Sequence, residues 1–127
     1  MTIERLRKMF TEMVEAKDVA AIERFYDPEL RLWTNGEVQD YAAFADGHRR
    51  VYPTAITYHV EYDEDAWVQD DVRDRVAGRV WITTARPGEE PTRLELVLIV
   101  EYAGDRIIRV WETTYPSWQQ LPAFDEY

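Results

Sequence analysis

One change of hydrophobic period, between residues 51 and 55, constrains what this chain can fold into more than any other feature. Before it, Ile3, Leu6, Phe10, Met13 and Val14 recur at helical spacing and fall on one face. After it come four long runs rich in β-branched and aromatic residues: Ile56 to Tyr62, Val72 to Thr84, Thr92 to Tyr102 and Arg106 to Tyr115. Asp70-Asp71, the stretch Pro87 to Pro91, and Ala103-Gly104-Asp105 separate them with turn chemistry. Consecutive long strands with short connections pair as antiparallel hairpins. Helices first and a meander afterwards predict an α+β domain, a helical layer on a curled antiparallel sheet, rather than a βαβ repeat.

The helical part divides further. Thr2 is placed to cap the first helix, and Asp18 a short second one over Val19 to Phe25 that Pro28 prevents from continuing. Leu30, Leu32 and Thr34 alternate with Arg31 and Trp33 as a short strand, and Asn35-Gly36 makes a tight turn. A third helix is expected from Tyr41 to about Val51, ended by Tyr52-Pro53. The whole chain, 1–127, reads as one domain: helices within about 3–51, the main sheet within about 55–115, and a tail over 116–127. Trp118, Leu121 and Phe124 in that tail predict that it packs on the domain.

Composition excludes several function classes. Without cysteine there are no disulfides, thiolate metal sites or cysteine nucleophile, and two histidines are too few for a histidine-rich metal cluster. Asp63-Glu64-Asp65 and Asp70-Asp71 lack the spacing and central glycine of a calcium loop and read as a solvated hairpin end. A formal charge of −10 with scattered Lys and Arg argues against nucleic acid. The longest aliphatic run, Leu96 to Val100, is far short of a membrane span, and the N-terminus lacks a signal-peptide core, so a cytoplasmic protein is expected. No cofactor-binding glycine loop is present.

The order of elements resembles the nuclear-transport-factor-2-like superfamily, SnoaL-like branch, over roughly residues 3 to 115. The stretches that carry the likeness are Ala16-Lys17-Asp18 with Ile22 to Tyr26, Leu30 to Trp33, Val51-Tyr52-Pro53 leading into Ile56, and Gly104 to Glu112. The resemblance implies a cone-shaped pocket inside the curled sheet, closed by the helices, in a chain that often dimerises. It also allows known activities to be compared with the residues present. The positions corresponding to the ketosteroid isomerase tyrosine and aspartates hold Phe10, Thr34 and Leu98, which argues against that mechanism. The Asp-Arg-Asp set of limonene epoxide hydrolases corresponds to Trp81, Arg79 and Glu112. His59 stands where scytalone dehydratases carry a strand histidine, and Glu112 with His59 is nearest to the acid and histidine of SnoaL-type polyketide cyclases.

Strand alternation assigns faces. Leu94, Leu96, Leu98 and Val100 share one face, and Val110, Glu112 and Thr114 another on the last strand. With these facing the hollow, the resemblance turns Arg79, Trp81 and Thr83 inward and leaves Val80, Ile82, Val97, Ile99 and Trp111 as an apolar convex face. Such a face is seldom left in water, so a homodimer through it is expected, or a tail that covers it.

The candidate catalytic residues are therefore Glu112, His59 and Arg79. A carboxylate desolvated among leucines acquires a pKa useful for proton transfer, whereas Arg79 nearby would keep it ionised; a structural ion pair is the alternative. His59 would move a second proton, or be a strand histidine satisfied by a neighbour. His48, beside Arg49 and Arg50, reads as surface. Trp81, Leu96, Leu98, Val110, Thr114, Thr34, Phe10 and Tyr26 would line the substrate pocket. The expected function is cofactor-independent acid–base chemistry (cyclase, dehydratase, isomerase or hydrolase) on a small apolar or aromatic molecule. The alternative is a non-catalytic ligand-binding or dimeric interaction module.

Overall fold

The structure is a computed structural model that describes residues 2–121. Helix α1 spans Ile3–Met9, with the Thr2 hydroxyl accepting the Arg5 N–H at 2.9 Å as its cap. The chain then widens into a π-helical stretch, Phe10–Glu15, before Asp18 caps a 3₁₀ turn at Val19–Ala21 and a single-turn helix α2 at Ile22–Phe25. The spacing of Ile3 to Val14 predicted one continuous helix; the π-helical segment changes its pitch while keeping Phe10 and Met13 buried.

Strand β1, Tyr26–Thr34, starts four residues earlier than the Leu30 to Thr34 alternation suggests and runs through Pro28. Asn35 (φ 48°) and Gly36 (φ 86°) then turn it into β2, Glu37–Asp40. Two successive positive φ values are what the tight hairpin turn requires, and Asn-Gly supplies them at least cost. Helix α3, Tyr41–Val51, is capped by Asp40. The sheet continues with β3 Thr57–Tyr62, a short β4 Val68–Asp70, β5 Arg75–Ala85, β6 Thr92–Ala103 and β7 Arg106–Tyr115. β4 was not foreseen, because its three residues are too few to show a period.

The strand order is β2-β1-β7-β6-β5-β3, with β4 also paired to β5. An antiparallel sheet was expected; it is mixed, because β1, which follows α2, pairs antiparallel with β2 through the Asn35-Gly36 turn and in parallel with β7. Register shifts in β1 and between Glu101 and Tyr102 of β6 bend the sheet, which curls without closing. The helices lie in the concavity. Leu6, Met9, Phe10 and Met13 bury against Leu96, Leu98, Val100 and Val110. Each such fully buried side chain stabilises the fold by about 1.5–3 kcal/mol. No helix among the described residues is long and apolar enough to cross a membrane.

Cross-strand pairs settle which side chains face inward, and here one expectation is corrected. Paired residues share a face, and Val80 pairs with Leu96, Gly78 with Leu98 and Ile82 with Leu94. Val80 is therefore in the core and Ile82 lines the concavity, while Arg79, Trp81 and Thr83 point to the outer face. The outer apolar surface shrinks to Val97, Ile99 and Trp111, joined by Trp33, whose indole stacks on that of Trp111 at 5.5 Å. Ion pairs border it: Arg75–Glu101, Arg109–Glu101 and Arg79–Glu95. Among the tail residues in view, Trp118 belongs to a 3₁₀ turn, Trp118–Gln120, that packs on the domain; Phe124 lies outside the described residues.

Candidate functional site

The concave side of the sheet holds a hollow of about 140 Å³, walled by α1, the π-helical segment, α3 and the inner faces of β1, β5, β6 and β7. For scale, a dry apolar cavity of roughly 150 Å³ accepts one benzene ring. Of the residues expected to line it, Leu96, Leu98, Val110, Thr114, Thr34, Phe10 and Tyr26 do, and so does Glu112. Trp81 does not: it stands on the outer face under the guanidinium groups of Arg79 and Arg93, at 4.8 and 4.7 Å.

Glu112 sits mid-way along β7 with Leu98 beside it on β6 and Thr34 on β1. Direct cross-strand neighbours share a face, so the carboxylate projects between a leucine and a buried threonine into the hollow. No hydrogen bond or ion pair to it exists among the described residues. Desolvation pushes its pKa from 4.5 up to about 7.

The other two proposed catalytic groups are elsewhere. Arg79 pairs with Asp63 on the outer face, its Nε donating to Oδ2 at 2.8 Å, and with Glu95 at 3.1 Å. It neither reaches Glu112 nor holds it ionised, and the alternative of an internal Arg79–Glu112 ion pair does not hold either. His59 projects outward from β3, mostly in solvent, with its Nδ1 3.5 Å from Glu15 Oε2. That carboxylate also accepts the Val60 N–H at 2.9 Å, capping the exposed edge of the strand. Alternation turns the neighbours of His59, Tyr58 and Val60, inward instead, and Tyr58 lines the hollow.

The histidine in the wall is His48, expected on the surface but buried. Its Nδ1 lies 2.7 Å from the Phe44 carbonyl oxygen, an acceptor, so Nδ1 carries the proton in the neutral ring. Burial lowers its pKa to about 4, against a smaller opposing effect of that hydrogen bond. The sequence did carry a signal for it. Phe44, His48 and Tyr52 are spaced by four, one helical stripe, and their rings touch in order, at 4.2 and 5.0 Å. Arg49 and Arg50 obscured the stripe, but they lie on the other side of α3 and are exposed.

Asn35 holds the mouth of the hollow together. Its amide donates to Thr114 Oγ1 at 2.8 Å and to Gln119 Oε1 at 3.0 Å, and its carbonyl accepts the Thr114 N–H at 2.8 Å. Thr114 Oγ1 accepts the Trp118 N–H, and Trp118 Nε1 donates to Thr34 Oγ1 at 2.8 Å. The two threonine hydroxyls are thus committed to the frame of the site. The Glu112 carboxylate is the charged group that faces the hollow among the described residues.

A helical layer inside a curled, unclosed mixed sheet also occurs in known structures. PrhC from Penicillium brasilianum aligns with a TM-score of 0.74 at 13% identity, over 88% of this chain and 78% of that one. The BvnE pinacolase from Penicillium brevicompactum aligns with a TM-score of 0.75 at 10% identity, over 88% and 84%. An epoxide hydrolase of M. tuberculosis described as LEH-like aligns at 0.73 and 13%, over 92% and 86%. The fold is nuclear-transport-factor-2-like. At these identities the likeness covers the shape of the nuclear-transport-factor-2-like cone and not its chemistry. No family model matches the chain, and no curated protein matches it.

Proposed function

We propose that the chain is a cofactor-independent acid–base enzyme for a small apolar or aromatic molecule, with Glu112 as the group that takes and returns a proton. One observation carries this reading: a lone carboxyl in an apolar hollow, with a pKa of about 7. A base whose pKa matches the working pH is half ionised, and it transfers protons without a large uphill step in either direction. The leucines and aromatic rings give the reacting centre an apolar wall. His59 and Arg79 take no part, since neither side chain enters the hollow. The fold's occurrence in a pinacolase and an epoxide hydrolase agrees with such a use of the cone.

Nitrobenzisoxazole tests the proposal without knowledge of the natural substrate. A base removes the ring C–H proton, the C–N bond becomes a nitrile, and the N–O bond breaks to leave a coloured phenolate. The expected result is a rate that rises with pH through about 7, survives in H59A, and is lost in E112Q. A wild-type rate no greater than that of E112Q refutes the assignment. A second reading, a ligand-binding module without turnover, is favoured by His48, the histidine of the wall, whose Nδ1 is committed to the Phe44 carbonyl and whose burial disfavours its charged form. It predicts ligand binding by the wild type with no elimination.

A further inference from the structure

The hollow has a charge pattern that restricts its occupant. Among the described residues that line it there is no Lys or Arg, and Glu112 is the one side chain with a formal charge near neutrality. His48, the remaining candidate for positive charge, is held neutral by burial. An unbroken arc of aromatic rings lines the same hollow. Tyr26 packs on Phe44 at 4.6 Å, Phe44 on His48 at 4.2 Å, His48 on Tyr52 at 5.0 Å and Tyr52 on Tyr58 at 5.8 Å. All five line the hollow. Aromatic faces carry negative quadrupole charge and attract cations, more strongly when both partners are out of water. A desolvated carboxylate without a counter-ion is the costliest group in the site, and a cation is what would offset that cost.

We infer that the hollow takes a small hydrophobic organic cation, an aryl- or alkylammonium group, with its charge between Glu112 and the aromatic arc and its apolar part against Leu96 and Leu98. The inference rests on Glu112 being the active group and names the substrate class for it. A cationic ligand also keeps Glu112 ionised, the form needed to accept a proton from a carbon next to the positive centre. The protein's net charge of −10 adds a long-range field that concentrates cations near the mouth and repels anions.

Because the cation must compete with a proton for Glu112, binding depends on pH. The titratable groups facing the hollow are Glu112 from β7, Tyr26 from β1, Tyr58 from β3, and His48 and Tyr52 from α3 and its C-terminus. Burial pushes the Tyr26 and Tyr52 hydroxyls above their ordinary range, and His48 titrates only near 4, so between pH 5 and 8 the change belongs to Glu112.

The test uses three probes of one shape, benzylamine, benzyl alcohol and benzoate, with calorimetric titration of the full chain at pH 8 and pH 5.5. At pH 8 benzylamine is expected to bind roughly tenfold or more tightly than benzyl alcohol, equivalent to about 1.4 kcal/mol, and benzoate not at all. The preference for the amine should collapse at pH 5.5 in the wild type and at both pH values in E112Q. The wild-type pH comparison stands even where E112Q folds poorly. Equal affinity for amine and alcohol at pH 8, retention of the preference in E112Q, or binding of benzoate would overturn the assignment. Loss of amine preference with nitrobenzisoxazole elimination intact removes the substrate class alone. Amine preference without elimination keeps the cation site and removes the catalytic reading.

Discussion

Replacing Glu112 by glutamine is expected to leave stability nearly unchanged in mild acid and to raise it above neutrality. In the folded chain the carboxyl titrates at about 7, against 4.5 when unfolded. Between those values the folded state holds a proton that the unfolded state has released, so folding stability falls as pH rises. The effect is absent below about 4.5 and complete above about 7. At about 1.4 kcal/mol for each pH unit of displacement, it reaches on the order of 3 kcal/mol at full desolvation. The wild-type profile alone does not display it. His48 is displaced the other way, with a folded pKa of about 4 against 6.5, so its contribution is lost as pH falls through that window. Across the overlap the two slopes oppose one another, and the wild type is nearly flat. The difference between E112Q and wild type cancels the His48 effect and isolates Glu112. Urea unfolding of both proteins at half-unit steps from pH 4.5 to 8 provides the measurement. A difference that grows by about 1–3 kcal/mol toward high pH is expected. One that stays constant within about 0.5 kcal/mol over the range would show that Glu112 is solvated or paired, and the reading of the hollow would fail with it.

Two further predictions concern the frame around the site. A Cβ added at Gly78 would lie 2.5 Å from ring atoms of Trp67, whose indole lies flat against that backbone, so G78A should cost about 1–3 kcal/mol in urea unfolding and shift the Trp67 fluorescence; a midpoint equal to wild type would contradict this packing. The Trp33–Trp111 stack on the outer face should show a coupling of about 0.5–1.5 kcal/mol in a double-mutant cycle to alanine, and additive single effects would mean the two rings act independently.

Much of the architecture was legible beforehand, and for local reasons. The caps at Thr2 and Asp18 are side-chain to backbone contacts within three residues, and the Asn35-Gly36 turn depends on two backbone angles. The extent of α3 and the inward set Leu94 to Val100 follow from periodicity within one element. What was misjudged involves distance along the chain. His48 belongs to a helical stripe hidden by its charged neighbours, and β1 joins β7 in parallel across more than seventy residues. The π-helical widening after Met9 has no signature in the apolar spacing.

The sequence by itself determined the alternation within every long strand, the single carboxylate among the inward residues of β7, and the lack of cysteine or a basic surface. It did not determine which side of β5 is inside. One face of that strand carries Val76, Val80 and Ile82 and the other Trp81 with Arg75, Arg79 and Thr83, so alternation leans toward the aliphatic side without setting it against a partner. The pairing of Val80 with Leu96 and Gly78 with Leu98 decides it, by setting β5 in register with a strand whose inward face is unambiguous. That register places Arg79 on the outer face with Asp63 and leaves Glu112 as the charged group of the hollow among the described residues. The charge balance of the site is thus a property of strand pairing, because a shift of one residue exchanges every side chain between the two faces of a sheet.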